Sequence, residues 1–153
     1  MSVTILLNGR ATTAECEPTD MLTEVLRGAG LASVRETCRI GVCGACTVLL
    51  DGQPVSGCLT MAAQVEGREV TTVEGLGGSH PVQRAFVDAH AFQCGWCTPG
   101  FVLTAVNLLD ENTAPSDAEI AEALGGNLCR CGSYVKINEA VRCAGAAMES
   151  EHT

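Results

Sequence analysis

Hydrophobic positions repeat every second residue in the first half of the chain and about every 3.6 residues in the second, with the change after Gly77-Gly78. In the first half, Val3-Thr4-Ile5-Leu6-Leu7 runs into Asn8-Gly9 and returns through residues 10–16. Asn-Gly readily takes the positive φ angles of a two-residue turn, so this segment predicts a β-hairpin. Thr47-Val48-Leu49-Leu50, Asp51-Gly52 and Gln53-Pro54-Val55 predict a second one, and the β-branched stretch at residues 70–73 a further strand. Residues 21–27, between the hairpins, predict a helix.

Four helical stretches follow the glycine pair. Pro81 and Pro99 each suit the first turn of a helix, where a missing N–H costs nothing, and the second of these carries Phe101, Val102, Ala105, Val106 and Leu109. Ser116 and Glu119 form a capping box ahead of Ile120, Ala123 and Leu124, and Gly125-Gly126 ends that helix. The fourth covers residues 134–148. The pattern predicts an α+β chain, with a strand-rich domain over residues 1–76 and a four-helix domain over residues 77–153. No internal repeat relates the halves.

Composition changes this picture in one respect. The 153 residues are 46% hydrophobic and 3% aromatic, as in a globular protein, but halves this small bury thin cores and benefit from a staple. Ten cysteines could supply it, as disulfides or as metal ligands. The apolar run at residues 3–7 is too short for a signal core or a membrane span and lacks a basic segment before it. The expected location is therefore the cytoplasm, without membrane insertion, where thiols stay reduced and metal ligation is the expected use. The net charge of −9 is spread evenly, with five Lys and Arg against nine Asp and Glu in residues 1–76 and four against nine thereafter. Without a basic stripe, nucleic acid is not an expected partner.

Eight of the cysteines fall into two sets. Cys38, Cys43 and Cys46 are spaced CxxxxCxxC, with Cys58 following, which is the plant-type ferredoxin spacing for one [2Fe–2S] cluster. Gly41 and Gly44 interrupt that loop where side chains would obstruct it, and they let backbone amides approach the sulfurs. The second set is Cys94 and Cys97 as CxxC, then Cys129 and Cys131 as CxC. Spacing alone admits either a [2Fe–2S] cluster or a zinc ion for these four.

The strings Cys43-Gly44-Ala45-Cys46-Thr47-Val48, Gln93-Cys94-Gly95-Trp96-Cys97-Thr98-Pro99-Gly100 and Gly126-Asn127-Leu128-Cys129-Arg130-Cys131-Gly132 closely resemble the small iron–sulfur subunit of the molybdenum hydroxylases, the xanthine oxidase family. The resemblance implies a plant-ferredoxin-like β-grasp domain followed by a four-helix [2Fe–2S]-binding domain, with a cluster on each cysteine set. It further implies that the C-terminal cluster lies beside a molybdopterin cofactor held by a large subunit. The N-terminal cluster would face FAD in a medium subunit. Electrons would pass from molybdenum through both clusters to the flavin during water-dependent hydroxylation of an N-heteroaromatic, aldehyde or similar small substrate. By the same resemblance Gln93 hydrogen-bonds the molybdenum cofactor, Cys131 also approaches the pterin, no residue of this chain is catalytic, and the assembly is a dimer of heterotrimers. Two positions depart from the family pattern: Gly132-Ser133-Tyr134 where many members have Thr-Gly-Tyr, and Thr37 where a glycine often precedes the first ligand.

The alternatives are a free-standing ferredoxin-like carrier, or a zinc-binding interaction module in the C-terminal half. Cys16 and Cys143 fall among apolar positions and are expected to be buried, inert thiols, while His80, His90 and His152 are expected at caps or on the surface. Trp96 is expected either to shield the second site or to pack at a domain interface.

Overall fold

A computed structural model describes residues 1–151; His152 lies outside the described residues. The first hairpin is β1 (Ser2–Leu7) and β2 (Arg10–Glu15), followed by α1 (Leu22–Gly28). The second hairpin is β3 (Thr47–Leu50) and β4 (Gln53–Ser56), and β5 (Glu69–Thr71) follows. Four helices complete the chain: α2 (Pro81–Asp88), α3 (Thr98–Glu111), α4 (Asp117–Ala123) and α5 (Tyr134–Glu151). Both hairpin turns hold positive φ at their two central residues, Asn8 and Gly9 in one and Asp51 and Gly52 in the other.

The strands form one sheet in the order β2-β1-β5-β3-β4. β1 and β5 run parallel and the other neighbours antiparallel. Along β1, Val3, Ile5 and Leu7 alternate inward and pack with Leu22, Val25 and Leu26 of α1 and with Val65 and Val70. This is the helix-on-sheet arrangement expected for the first half. The strand signal at residues 70–73 ends earlier than expected. The Thr72 N–H is taken at 2.8 Å by the Asn8 side chain, and Val73–Leu76 turns as a short 3-10 helix.

β3 does not alternate, because all four of its residues are buried. Val48 and Leu50 join the core under α1, whereas Leu49 joins the helical core on the opposite face. A strand covered on both faces reads as a continuous apolar run, and here the cover is α3. α3 is itself buried from Gly100 to Val106, since it lies between the sheet and the other helices, with Phe86, Ile120, Ile137 and Val141 around it. The capping box at Ser116 forms as expected, the Ser116 hydroxyl accepting from the Glu119 N–H. Among the described residues no helix is long and apolar enough to cross a membrane.

Close packing at α5 makes one glycine substitution run against helix propensity. A Cβ on Gly145 would overlap the Thr113 carbonyl in the α3–α4 loop, whereas one on Gly28 at the end of α1 would meet nothing. Gly145→Ala is expected to destabilise the chain by about 1–3 kcal/mol through overpacking, and Gly28→Ala to stabilise it by about 0.5–1 kcal/mol. Thermal or urea melts of the purified variants check both signs.

Candidate metal centres

The first cysteine set gathers on the loop between α1 and β3 and at the end of the second hairpin. Cys38 and Cys43 are half-buried, and their free thiols interact. The backbone N–H groups of Ile40 and Cys43 point at the Cys38 sulfur and, with the Cys43 thiol and the Val42 N–H, pull its pKa down to about 6. Cys46 is buried and its free thiol interacts with that of Cys58, which lies in the turn just beyond β4. Burial pushes Cys46 up to about 11. The Gly57 N–H donates to the Cys46 carbonyl at 3.2 Å and holds the two segments side by side.

The second set repeats this plan on helical elements. Cys94 and Cys97 lie on the loop that enters α3, and Cys129 and Cys131 on the loop that enters α5. The free thiol of Cys94 interacts with that of Cys131, and the free thiol of Cys97 with that of Cys129. The Trp96 backbone N–H, then the Cys131 thiol, lower the pKa of exposed Cys94. Burial, then the Cys129 thiol, push Cys97 up to about 12. Burial raises Cys129, but the Ser133 N–H at 3.4 Å and the Cys97 thiol outweigh it, so its net shift is downward. The Cys129 N–H donates to the Tyr134 hydroxyl at 2.9 Å, which fixes the loop against the start of α5.

Each set thus brings its four thiols within electrostatic reach of one another, most strongly as the pairs Cys38 with Cys43, Cys46 with Cys58, Cys94 with Cys131 and Cys97 with Cys129. Among the described residues no three Cys, His, Asp or Glu side chains are placed to hold a single metal ion. A tetrahedral zinc site needs four donors about 2.3 Å from one centre. Paired thiols, with backbone amides aimed at the sulfurs, instead suit a two-iron cluster in which each iron takes two thiolates.

The two sites are tied together by a buried side chain that the spacing of the cysteines does not reveal. The Asn127 carboxamide donates to the Gly44 carbonyl at 3.0 Å and to the Thr47 hydroxyl at 3.3 Å, and accepts from the Thr104 hydroxyl of α3 at 2.9 Å. Beside it the Leu128 N–H donates to the Cys43 carbonyl at 2.9 Å. Gly44 has φ +66, and a Cβ there would overlap the Gly126 carbonyl and the Asn127 amide; a Cβ on Gly100 would overlap the Gly44 carbonyl. Gly44 is therefore required by the second cysteine loop pressed against it, not by its own loop alone. A cavity of about 360 Å³ lies between the sets, lined by Cys43 from the first and by Cys94, Cys97 and Cys129 from the second.

Of the other singled-out residues, Gln93 is exposed and its amide donates to the Cys131 carbonyl at 3.4 Å. Cys16 is buried in the sheet core as expected, but Cys143 is exposed, since the face of α5 that carries it is turned outward. His80 caps α2, its Nδ1 accepting from the Val82 N–H at 3.2 Å.

Residues 9–93 match the family described as 2Fe-2S iron-sulfur cluster binding domain, and residues 72–142 the [2Fe-2S] binding domain. The nicotinate dehydrogenase small FeS subunit of Eubacterium barkeri is 46% identical, with 94% of each chain covered. The chain belongs to the small iron–sulfur subunits of the molybdenum hydroxylase family. The nicotine 6-hydroxylase small subunit of Paenarthrobacter nicotinovorans is also 46% identical, over 92% of this chain and 87% of that one. The crystal structure of quinoline 2-oxidoreductase from Pseudomonas putida 86 superposes with a TM-score of 0.93 at 40% identity, covering 100% of this chain and 98% of that chain. The small iron–sulfur subunit is accordingly an electron-transfer component of a multi-subunit oxidoreductase and does not itself carry the catalytic site. Its strand-rich first half is ferredoxin-like and its second half is the helical domain expected from the sequence.

The contact between the two loops is the part most sensitive to change. Gly44→Ala is expected to lower the iron content of the purified subunit by half or more, while Gly125→Ala, whose Cβ meets nothing, leaves it unchanged. Asn127→Ala strips buried partners from Gly44, Thr47 and Thr104 and is expected to cost about 3 kcal/mol of unfolding free energy. Iron analysis and urea melts read these outcomes.

Proposed function

We propose that this subunit carries electrons from a large molybdopterin-binding subunit to a medium FAD-binding subunit. Cys94, Cys97, Cys129 and Cys131 would hold the cluster on the pterin side, and Cys38, Cys43, Cys46 and Cys58 the cluster on the flavin side. The observation that carries this reading is that each cysteine set opens onto its own exposed apolar rim. Ile40, Val42 and Leu59, next to cysteines of the first in the sequence, are 69%, 57% and 59% exposed, and Phe92, Trp96, Tyr134 and Val135, on the loops and helix starts that carry the second, are exposed as well. Apolar groups concentrated in this way mark surfaces that another protein covers. Two such rims suit a relay between two partners better than a free carrier, which needs to leave every partner it meets.

When bound, each cluster supplies a one-electron redox centre. The chain's residues set its surroundings: Cys46, Cys58 and Cys129 are buried and keep water from the inner thiolates, while the amides on Cys38 and Cys94 favour the thiolate form needed for ligation. Gln93 uses one amide N–H on the Cys131 carbonyl and retains a second donor and an acceptor for a pterin edge. The names of the relatives, which act on nicotinate, nicotine and quinoline, support an N-heteroaromatic compound as substrate of the whole complex, with an aldehyde as the second reading. A dimer of heterotrimers in the cytoplasm belongs to the same proposal. So does a domain division at residues 76 and 77, which is supported by two separate core clusters, the helical one also taking in Leu49, Val73 and Leu76 from before the division.

Iron and acid-labile sulfide analysis tests the cluster assignment, with about four of each per chain expected; zinc together with only about two irons would contradict it. For Gln93, the Gln93→Ala complex is expected to lose turnover or molybdenum cofactor while both cluster signals persist in electron paramagnetic resonance. Full turnover with full cofactor content would refute that role.

A further inference from the structure

A second side-chain group, apart from Asn127, spans the two sites. Trp96 sits between Cys94 and Cys97, and its indole N–H donates at 2.8 Å to the hydroxyl of Thr37, the residue before Cys38. The Arg35 guanidinium stands 4.7 Å from the centre of the Trp96 ring, a cation–π distance. The Arg35 backbone N–H donates at 3.1 Å to the Ala45 carbonyl, inside the Cys43–Cys46 loop. Arg35 is therefore fixed to the backbone of the first site and stacked on the ring of the second.

Its charge is left unbalanced. The chain carries 18 Asp and Glu residues, yet among the described residues no ion pair includes Arg35. Its Nε–H is buried and has no hydrogen-bond acceptor. A buried donor left without a partner is costly, and a structural strut between two loops does not require a cation.

We infer that Arg35, stacked on Trp96 and held in register by the Thr37–Trp96 hydrogen bond, is a positioning residue that raises the reduction potential of the centre on Cys94, Cys97, Cys129 and Cys131. One electron added to that centre adds one unit of negative charge, and no bond forms or breaks. A fixed positive charge held against the indole stabilises the reduced form more than the oxidised form. The inference rests on the proposed reading of both cysteine sets as cluster ligands.

The test is an anaerobic titration of the purified complex with dithionite, with each cluster followed by electron paramagnetic resonance and assigned by the signal that Cys94→Ser perturbs. Iron, sulfide and two signals in the unaltered complex come first, and their absence would sink the ligand reading itself. In the fully loaded Arg35→Gln complex, the midpoint of the second cluster is expected to move to lower potential by more than that of the first. Arg35→Lys is expected to restore most of the shift, because the charge is kept. Unchanged midpoints in Arg35→Gln, or equal shifts in the Gln and Lys variants, overturn the inference. Thr37 is exposed, so Thr37→Val tests the anchor without threatening the fold. It is expected to shift the second midpoint in the same direction by a smaller amount, with Thr37→Ser close to the unaltered complex. If Arg35→Gln fails to load its clusters, equal midpoints in Thr37→Val and Thr37→Ser overturn the inference instead.

Discussion

Between the sheet and the helices, the Asn127 side chain reaches from the Thr104 hydroxyl on α3 to the Gly44 carbonyl in the first cysteine loop, across 83 residues of sequence. All its hydrogen-bonding groups are buried with it, so the carboxamide is stable there only if α3, β3 and both cysteine loops arrive together. That requirement explains the absence of side chains at Gly44 and Gly100, the burial of β3 on both faces, and the backbone hydrogen bond from Leu128 to Cys43. It also makes the two cysteine sets parts of one body. The cavity between them is walled by thiols from both sets.

The two centres follow one plan on unrelated scaffolds. In each, an outer pair of thiols lies toward the surface, Cys38 with Cys43 and Cys94 with Cys131, and an inner pair lies deeper, Cys46 with Cys58 and Cys97 with Cys129. Backbone amides draw the outer Cys38 and Cys94 toward the thiolate, and burial pushes the inner Cys46 and Cys97 the other way. A hairpin end achieves this in one case and two helix starts in the other. The common factor is a set of free amides at a tight loop, which hairpins and helix entries both provide.

Features set by local chemistry were legible in the sequence. Asn8-Gly9 and Asp51-Gly52 specify their turns through positive φ, Ser116 and Glu119 specify the start of α4, and the cysteine spacings specify which thiols can share a loop. Features set by distant residues were not. Gly44 was readable as a loop glycine, but the atoms that forbid a side chain there belong to residues 126 and 127. The unbroken run of β3 records a second cover that only the docked helix explains. β5 is shorter than its β-branched sequence suggests because the Asn8 side chain captures the Thr72 N–H. The bond between Trp96 and Thr37 joins residues 59 apart, and neither sits at a motif position that marks the other. Cys143 looks apolar in sequence but lies on the outer face of α5.

The claim on which everything else rests is that two [2Fe–2S] centres are held close together in one rigid chain. Low-temperature electron paramagnetic resonance of the complex, compared at partial and full reduction, tests it most directly. Two nearby spins perturb each other only when both centres carry an electron. The expected result is two distinct signals that broaden or split as reduction is completed. A fully reduced spectrum equal to the simple sum of two independent signals, or a single type of signal in fully loaded protein, would contradict it.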